Sequence, residues 1–154
     1  DLRDYAANFT DFLAAKPADA PFCFWFGSTE PHRLYDKGRG ARLGKKIADV
    51  NVPAFLPDTP EVRSDILDYY SEIDWFDAQL ARVLKALDAA GLAGNTLVVV
   101  TSDNGMPFPH AKVNLYDWGT HMPLAMRWPG RSTRTAYCRC TMAPTEISSR
   151  RESW

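Results

Sequence analysis

Asp103 and Asn104 directly follow a run rich in β-branched residues, Thr96-Leu97-Val98-Val99-Val100-Thr101, and Gly105 comes next. A carboxylate and an amide carbonyl are hard oxygen ligands of the kind Ca²⁺ and Mg²⁺ take, and the glycine permits the turn that would aim them at one point. Two ligands do not complete a site, and D-N-G alone equally describes an Asx turn closing a strand, which needs no metal. The chain also carries three histidines, His32, His110 and His121, and three cysteines, Cys23, Cys138 and Cys140. No two cysteines stand at C-x-x-C spacing, so neither a zinc site nor a disulfide framework is legible. Cys23 lies within PFCFWFG and reads as a small core residue. Arg39, Arg42, Lys45 and Lys46 cluster in one stretch, either as a solvated loop or as a contact for a sulfated polysaccharide.

For Asp103 and Asn104 to act together, the surrounding elements must bring them to one edge. Tyr5, Phe9, Phe12 and Leu13 recur at helical spacing before Pro17, and PFCFWFG then predicts a short buried strand. Residues 30–57 lose all periodicity and predict a long loop. From Thr59 a cap, a proline at the first helical position and apolar residues at steps of three and four predict a helix of about eight turns, which Gly91 stops. The segment 96–101, apolar on both faces, predicts a central parallel strand, and 123–128 a further one. Strand, loop, helix and strand make a βαβ-like unit, and in open α/β sheets ligands gather at the carboxyl ends of strands, where Asp103 and Asn104 would stand.

The chain has 154 residues, 45% of them apolar, enough for one hydrophobic core. Its 18 basic and 19 acidic residues nearly cancel, which excludes the electrostatic footprint of a nucleic-acid or membrane-surface binder. No window approaches the roughly 18 consecutive apolar residues of a membrane span, and no signal peptide is visible. Residue 1 is Asp, within what reads as an amphipathic helix, so the sequence is expected to be a piece of a longer protein. Composition changes at Arg131. The segment 131–154 has two of the three cysteines, several arginines and no apolar periodicity, and is expected to be an anomalous tail, frameshifted or disordered, beyond a partial domain at 1–130.

The order of several motifs resembles a known family. TSDNG, a lysine eight residues past Asn104, LYDWGTHMPL, MRWPG, the Pro-His pair of FGSTEPHR, and VPAFLPDTPEVRSDILDYYSEIDWFD are together similar to the sulfatases of the alkaline phosphatase superfamily, above all the heparan N-sulfatase or sulfamidase-like branch. The resemblance covers residues 1–130. It implies an α/β fold, part of an alkaline phosphatase-like sandwich whose mostly parallel sheet is flanked by helices. It also implies that Asp103 and Asn104 are two of the ligands of a divalent metal, Ca²⁺ or else Mg²⁺, that Lys112 contacts the sulfate group, and that His32 faces the sulfate and the leaving group. These roles are chemically coherent, because a metal and a positioned ammonium stabilise charge on a transferring sulfuryl oxygen. His110 and His121 are expected at the rim or in structural roles, and Asp117 and Trp118 as shapers of a turn.

The family's nucleophile is a formylglycine made from Cys or Ser in a C-x-P-S-R-type motif, and no cysteine here matches it. The implied function is therefore a fragment of a sulfuric ester or sulfamate hydrolase, inactive by itself, acting on a sulfated small molecule or glycan. Export to the periplasm, the exterior or the lysosome would accompany it. Two alternatives stay open: a non-catalytic truncated or decayed gene product, and a phosphodiesterase or phosphonate hydrolase of the same superfamily.

Overall fold

In the computed structural model, residues 4–129 and 136–141 are described. They fall into two compact units. One holds residues up to Thr96 with Trp128 and Pro129, and the other holds Leu97–Arg127 with the strand at 136–141.

The first unit is built on two helices. Helix α1, Tyr5–Ala15, starts where the Asp4 side chain accepts from the Ala7 N–H at 2.9 Å. A second free N–H of its first turn, that of Ala6, donates to Gln79 at 3.3 Å. A short helix α2, Arg39–Arg42, precedes the long helix α3, Pro60–Ala89, which follows the expected start and stop. Thr59 caps α3, and beyond its end Leu92 N–H bonds Leu87 C=O at 3.2 Å while Gly91 N–H bonds Asp88 C=O at 2.9 Å. That pair of bonds is a Schellman stop, and it needs the positive φ of 70° at Gly91. The core between α1 and α3 is aromatic: Phe24 meets Phe9 and Phe12 at 4.9 and 5.0 Å, and Phe26 stacks on Phe76 at 5.4 Å.

Residues 21–27 follow the expected alternation, with Phe22, Phe24 and Phe26 half-buried and Cys23 and Trp25 exposed, yet they form no strand. Their phenylalanines pack on helices, and no neighbouring chain completes a ladder among the described residues. The long loop is likewise less irregular than its sequence predicts, for it contains α2 and a 3₁₀ turn at Ile47–Asp49. Asp68 of α3, 3% exposed, organises it by accepting from the Gly38 and Gly40 N–H groups, each at 2.8 Å.

The second unit carries the sheet. Strands β1, Val98–Thr101, β2, His121–Arg127, and β3, Ala136–Thr141, lie in the order β1-β2-β3, and both pairings are antiparallel. The mostly parallel sheet and the βαβ unit expected from the sequence are absent among the described residues. The reason lies in the connection. After β1 the chain folds back at the strand's own end, where Gly105 N–H reaches Gly119 C=O at 3.3 Å, so β2 starts where β1 stops and runs the other way. Burial along β1 alternates, with Val99 exposed, as suits a strand with one covered face. Of the segment 131–154 only β3 is described, and the rest of the expected anomalous tail lies outside the described residues.

Candidate functional site

The end of β1 is fixed before its loop begins. Thr101 pairs with Leu124 in the ladder, and its hydroxyl donates to the Pro123 carbonyl at 2.9 Å. Ser102 then bridges the turn, its hydroxyl donating to the Asn104 carbonyl at 2.9 Å. Asp103 is exposed and Asn104 half-buried, and neither side chain has a partner among the described residues.

Beyond them the loop closes on itself. A Cβ on Gly105 would sit 1.9 Å from the Trp118 carbonyl oxygen, and one on Gly119 would sit 2.2 Å from that of Asn114. Only glycine at both places lets the two strands of the loop cross so closely. Inside the loop Lys112 N–H bonds the Met106 carbonyl at 3.1 Å, so the lysine's backbone lies against the residue that follows Gly105. Ala111 beside it is fully buried. His110 and Val113, on either side, take left-handed backbone with φ of 61° and 59°. A β-branched residue there is an outlier, and such strain persists only where surrounding structure holds it.

The Lys112 ammonium is half-buried and has no acidic partner among the described residues. The basic loop of the first unit differs. Arg39 pairs with Glu72 at 3.1 Å, Lys45 with Asp74 at 2.5 Å, and Arg42 with Asp36. Three of the four cations that sequence offered as a polysaccharide contact thus already have carboxylate partners within the chain.

His32, the remaining candidate, belongs to the first unit and is exposed. Its turn is closed by His32 N–H on the Thr29 carbonyl at 2.8 Å. The buried carboxylate of Glu30 anchors it, accepting from the Tyr5 hydroxyl at 2.9 Å and the Ser28 hydroxyl at 2.7 Å. The His32 Nδ1 contacts the Arg33 carbonyl. A carbonyl can only accept, so Nδ1 carries the proton and Nε2 is left to face outward.

The structure therefore gathers Asp103, Asn104 and Lys112 in one unit and holds His32 on an anchored turn of the other. Of the two weaker histidines, His110 lies against the Tyr116 ring at 5.2 Å, and His121 contacts Asp117 at 3.4 Å at the start of β2. Sequence reasoning missed Glu30 and the crossing partner Gly119. A glutamate among apolar residues just before a Pro-His pair was a signal for the first, whereas a pair of glycines fourteen apart carries no local signal. Asp103 and Asn104 suit a hard cation by donor type, but among the described residues no three His, Cys, Asp or Glu side chains converge into a metal centre.

Comparison with known proteins supplies the context. The profile of the family described as Sulfatase matches residues 2–149, running past the composition change at Arg131. The chain is 43% identical over 86 residues to N-sulphoglucosamine sulphohydrolase of Homo sapiens, covering 56% of this chain and 17% of that protein. It is 29% identical over 106 residues to an ulvan-active sulfatase of Formosa agariphila, covering 69% and 18%. With iduronate 2-sulfatase of Homo sapiens it shares 37% identity over 68 residues, covering 42% and 12%. The chain thus spans less than a fifth of the length of each of these three relatives.

Proposed function

The chain belongs to the sulfatase family, and from that membership we propose that it supplies the Asp103-Asn104-Lys112 strand end, and the His32 turn, of a hydrolase for sulfuric esters or sulfamates. One observation carries the proposal. Lys112 is a half-buried cation without an acidic partner among the described residues, on a loop that two glycine crossings and a buried alanine hold rigid, while the cations of the basic loop are paired. An unpaired ammonium held in place is what a tetrahedral oxyanion requires.

In this mechanism the Lys112 ammonium binds sulfate oxygens as charge builds on them. His32, its Nδ1 hydrogen engaged by the Arg33 carbonyl, offers Nε2 to the bridging oxygen. As the cation it donates a hydrogen bond there and can protonate the leaving group. Asp103 and Asn104 would supply two oxygen ligands to a divalent cation, Ca²⁺ in preference to Mg²⁺, whose charge draws electron density from the sulfuryl group. The nucleophile, a formylglycine, would come from a longer chain, since none of Cys23, Cys138 and Cys140 stands in a modification motif. The printed names of the relatives refer to sulfated sugars, which supports a sulfated glycan or its fragments as substrate, and export from the cytoplasm as the setting.

The division into a partial catalytic domain at 1–130 and a separate tail at 131–154 rests on composition, and the family match on to residue 149 stands against it. Extending the reading frame tests the whole proposal. An in-frame C-x-P-S-R-type motif, with sulfate-ester turnover that falls about 10²–10³-fold on Lys112→Ala, supports it. Stops or unrelated sequence on both sides would leave a non-catalytic product, and preference for a paired aryl phosphate ester would make it a phosphohydrolase.

A further inference from the structure

Residues 21–27 have the backbone and the side-chain pattern of a β-strand but no sheet. Phe22, Phe24 and Phe26 face α1 and α3, with ring contacts at 5.7, 4.9 and 5.4 Å to Phe12, Phe9 and Phe76, so one face is already covered. The opposite face presents Cys23 and Trp25, the latter 88% exposed. Between Pro21 and Gly27 no backbone N–H or C=O has a hydrogen-bond partner among the described residues. Both edges of an extended, apolar segment therefore stand open, which is the template for strand addition.

We propose that residues 21–27 pair by strand addition, and that in solution the occupant is the same segment of a second copy of this chain, antiparallel about a two-fold axis. The charge pattern selects that occupant. Residues 20–29 carry no ionisable side chain except Cys23, so a copy laid antiparallel opposes no like charges at any register. The segment also lacks the charged residues that blunt natural edges, and its single proline stands at its first position, outside the ladder. Main-chain pairing of a strand with its own copy is self-complementary under a two-fold axis. The phenylalanines of both copies would then form one layer roofed by both α1–α3 pairs, and Trp25 of each copy would be covered by the other's outer face.

The test is the oligomeric state of this chain in reducing buffer, followed by sedimentation across a concentration series together with amide exchange of residues 22–27. The expected result is a concentration-dependent dimer in which those amides gain protection as it forms. Trp25→Lys, a change at an exposed side chain, should raise the dimer dissociation constant at least about tenfold and remove that protection, with the helical circular dichroism unchanged. Val99→Lys, on the half-exposed face of β1, should leave the dimer as it is. A chain that stays monomeric at all concentrations, a dimer indifferent to Trp25→Lys, or one abolished by Val99→Lys would each overturn the proposal.

Discussion

Gly105 has no room for a side chain, because its missing Cβ would fall 1.9 Å from a backbone oxygen that belongs to another turn of the same loop. A flexible side chain in that place could swing aside, whereas a carbonyl of a hydrogen-bonded turn moves only with its neighbours. Gly105→Ala should therefore cost about 3 kcal/mol, seen as faster amide exchange concentrated in β1 and β2. A second effect at this scale concerns acid. The Arg82 guanidinium beside Asp4, helped by the Ala7 N–H, holds that carboxyl below its ordinary value, and Arg63 does the same for Asp58. Both groups bind their proton less readily when folded, so their contribution is present above pH of about 4 and is lost as pH falls through the depressed folded values. Urea midpoints taken from pH 5 to pH 2 should fall, and fall less in the Asp4→Asn, Asp58→Asn double variant. At the residue scale the sequence was informative about donor chemistry, since Asp103, Asn104 and Lys112 are polar side chains left without partners among the described residues. It was silent on Gly119, whose importance comes from a crossing of chain segments rather than from any property of its neighbours.

Helices were the most legible elements, because their start and stop signals are local. The core-facing side of α3 was less so. Its apolar repeat includes Ile73, which is exposed, while Asp68, Ser71, Glu72 and Gln79 are buried. Those polar residues face α1 and the loop, and their burial is tolerated because each meets a specific partner: Asp68 two N–H groups, Ser71 the Leu67 carbonyl, Glu72 Arg39, and Gln79 the first turn of α1. Asp68→Ala would leave the Gly38 and Gly40 N–H groups without a partner and should cost about 2 kcal/mol or more, measured by urea unfolding followed through helical circular dichroism. Strand direction was not legible at all. Apolar residues on both faces of β1 suit a parallel strand, but direction is set by where the connection returns, and that depends on the Gly105–Gly119 contact.

For the molecule as a whole, the family could be read from the order of its motifs, and the sulfatase match agrees with it. The metal chemistry is a different matter. Asp103 and Asn104 offer two oxygen ligands where Ca²⁺ takes about six to eight, so calorimetric titration of this chain should give a dissociation constant no tighter than about 1 mM. A micromolar value would reveal ligands that the pair does not provide. The glycine crossing bears on how such a protein can change over generations. Because Gly105 and Gly119 pin the loop at its neck, residues between them can be exchanged, or their number altered, without moving the ends of β1 and β2, since lengthening a loop whose ends are already joined adds only a few tenths of a kcal/mol. What the loop displays and what the strand end holds are thus separately heritable, and a lineage could acquire new preferences in the one while the other stayed as it was.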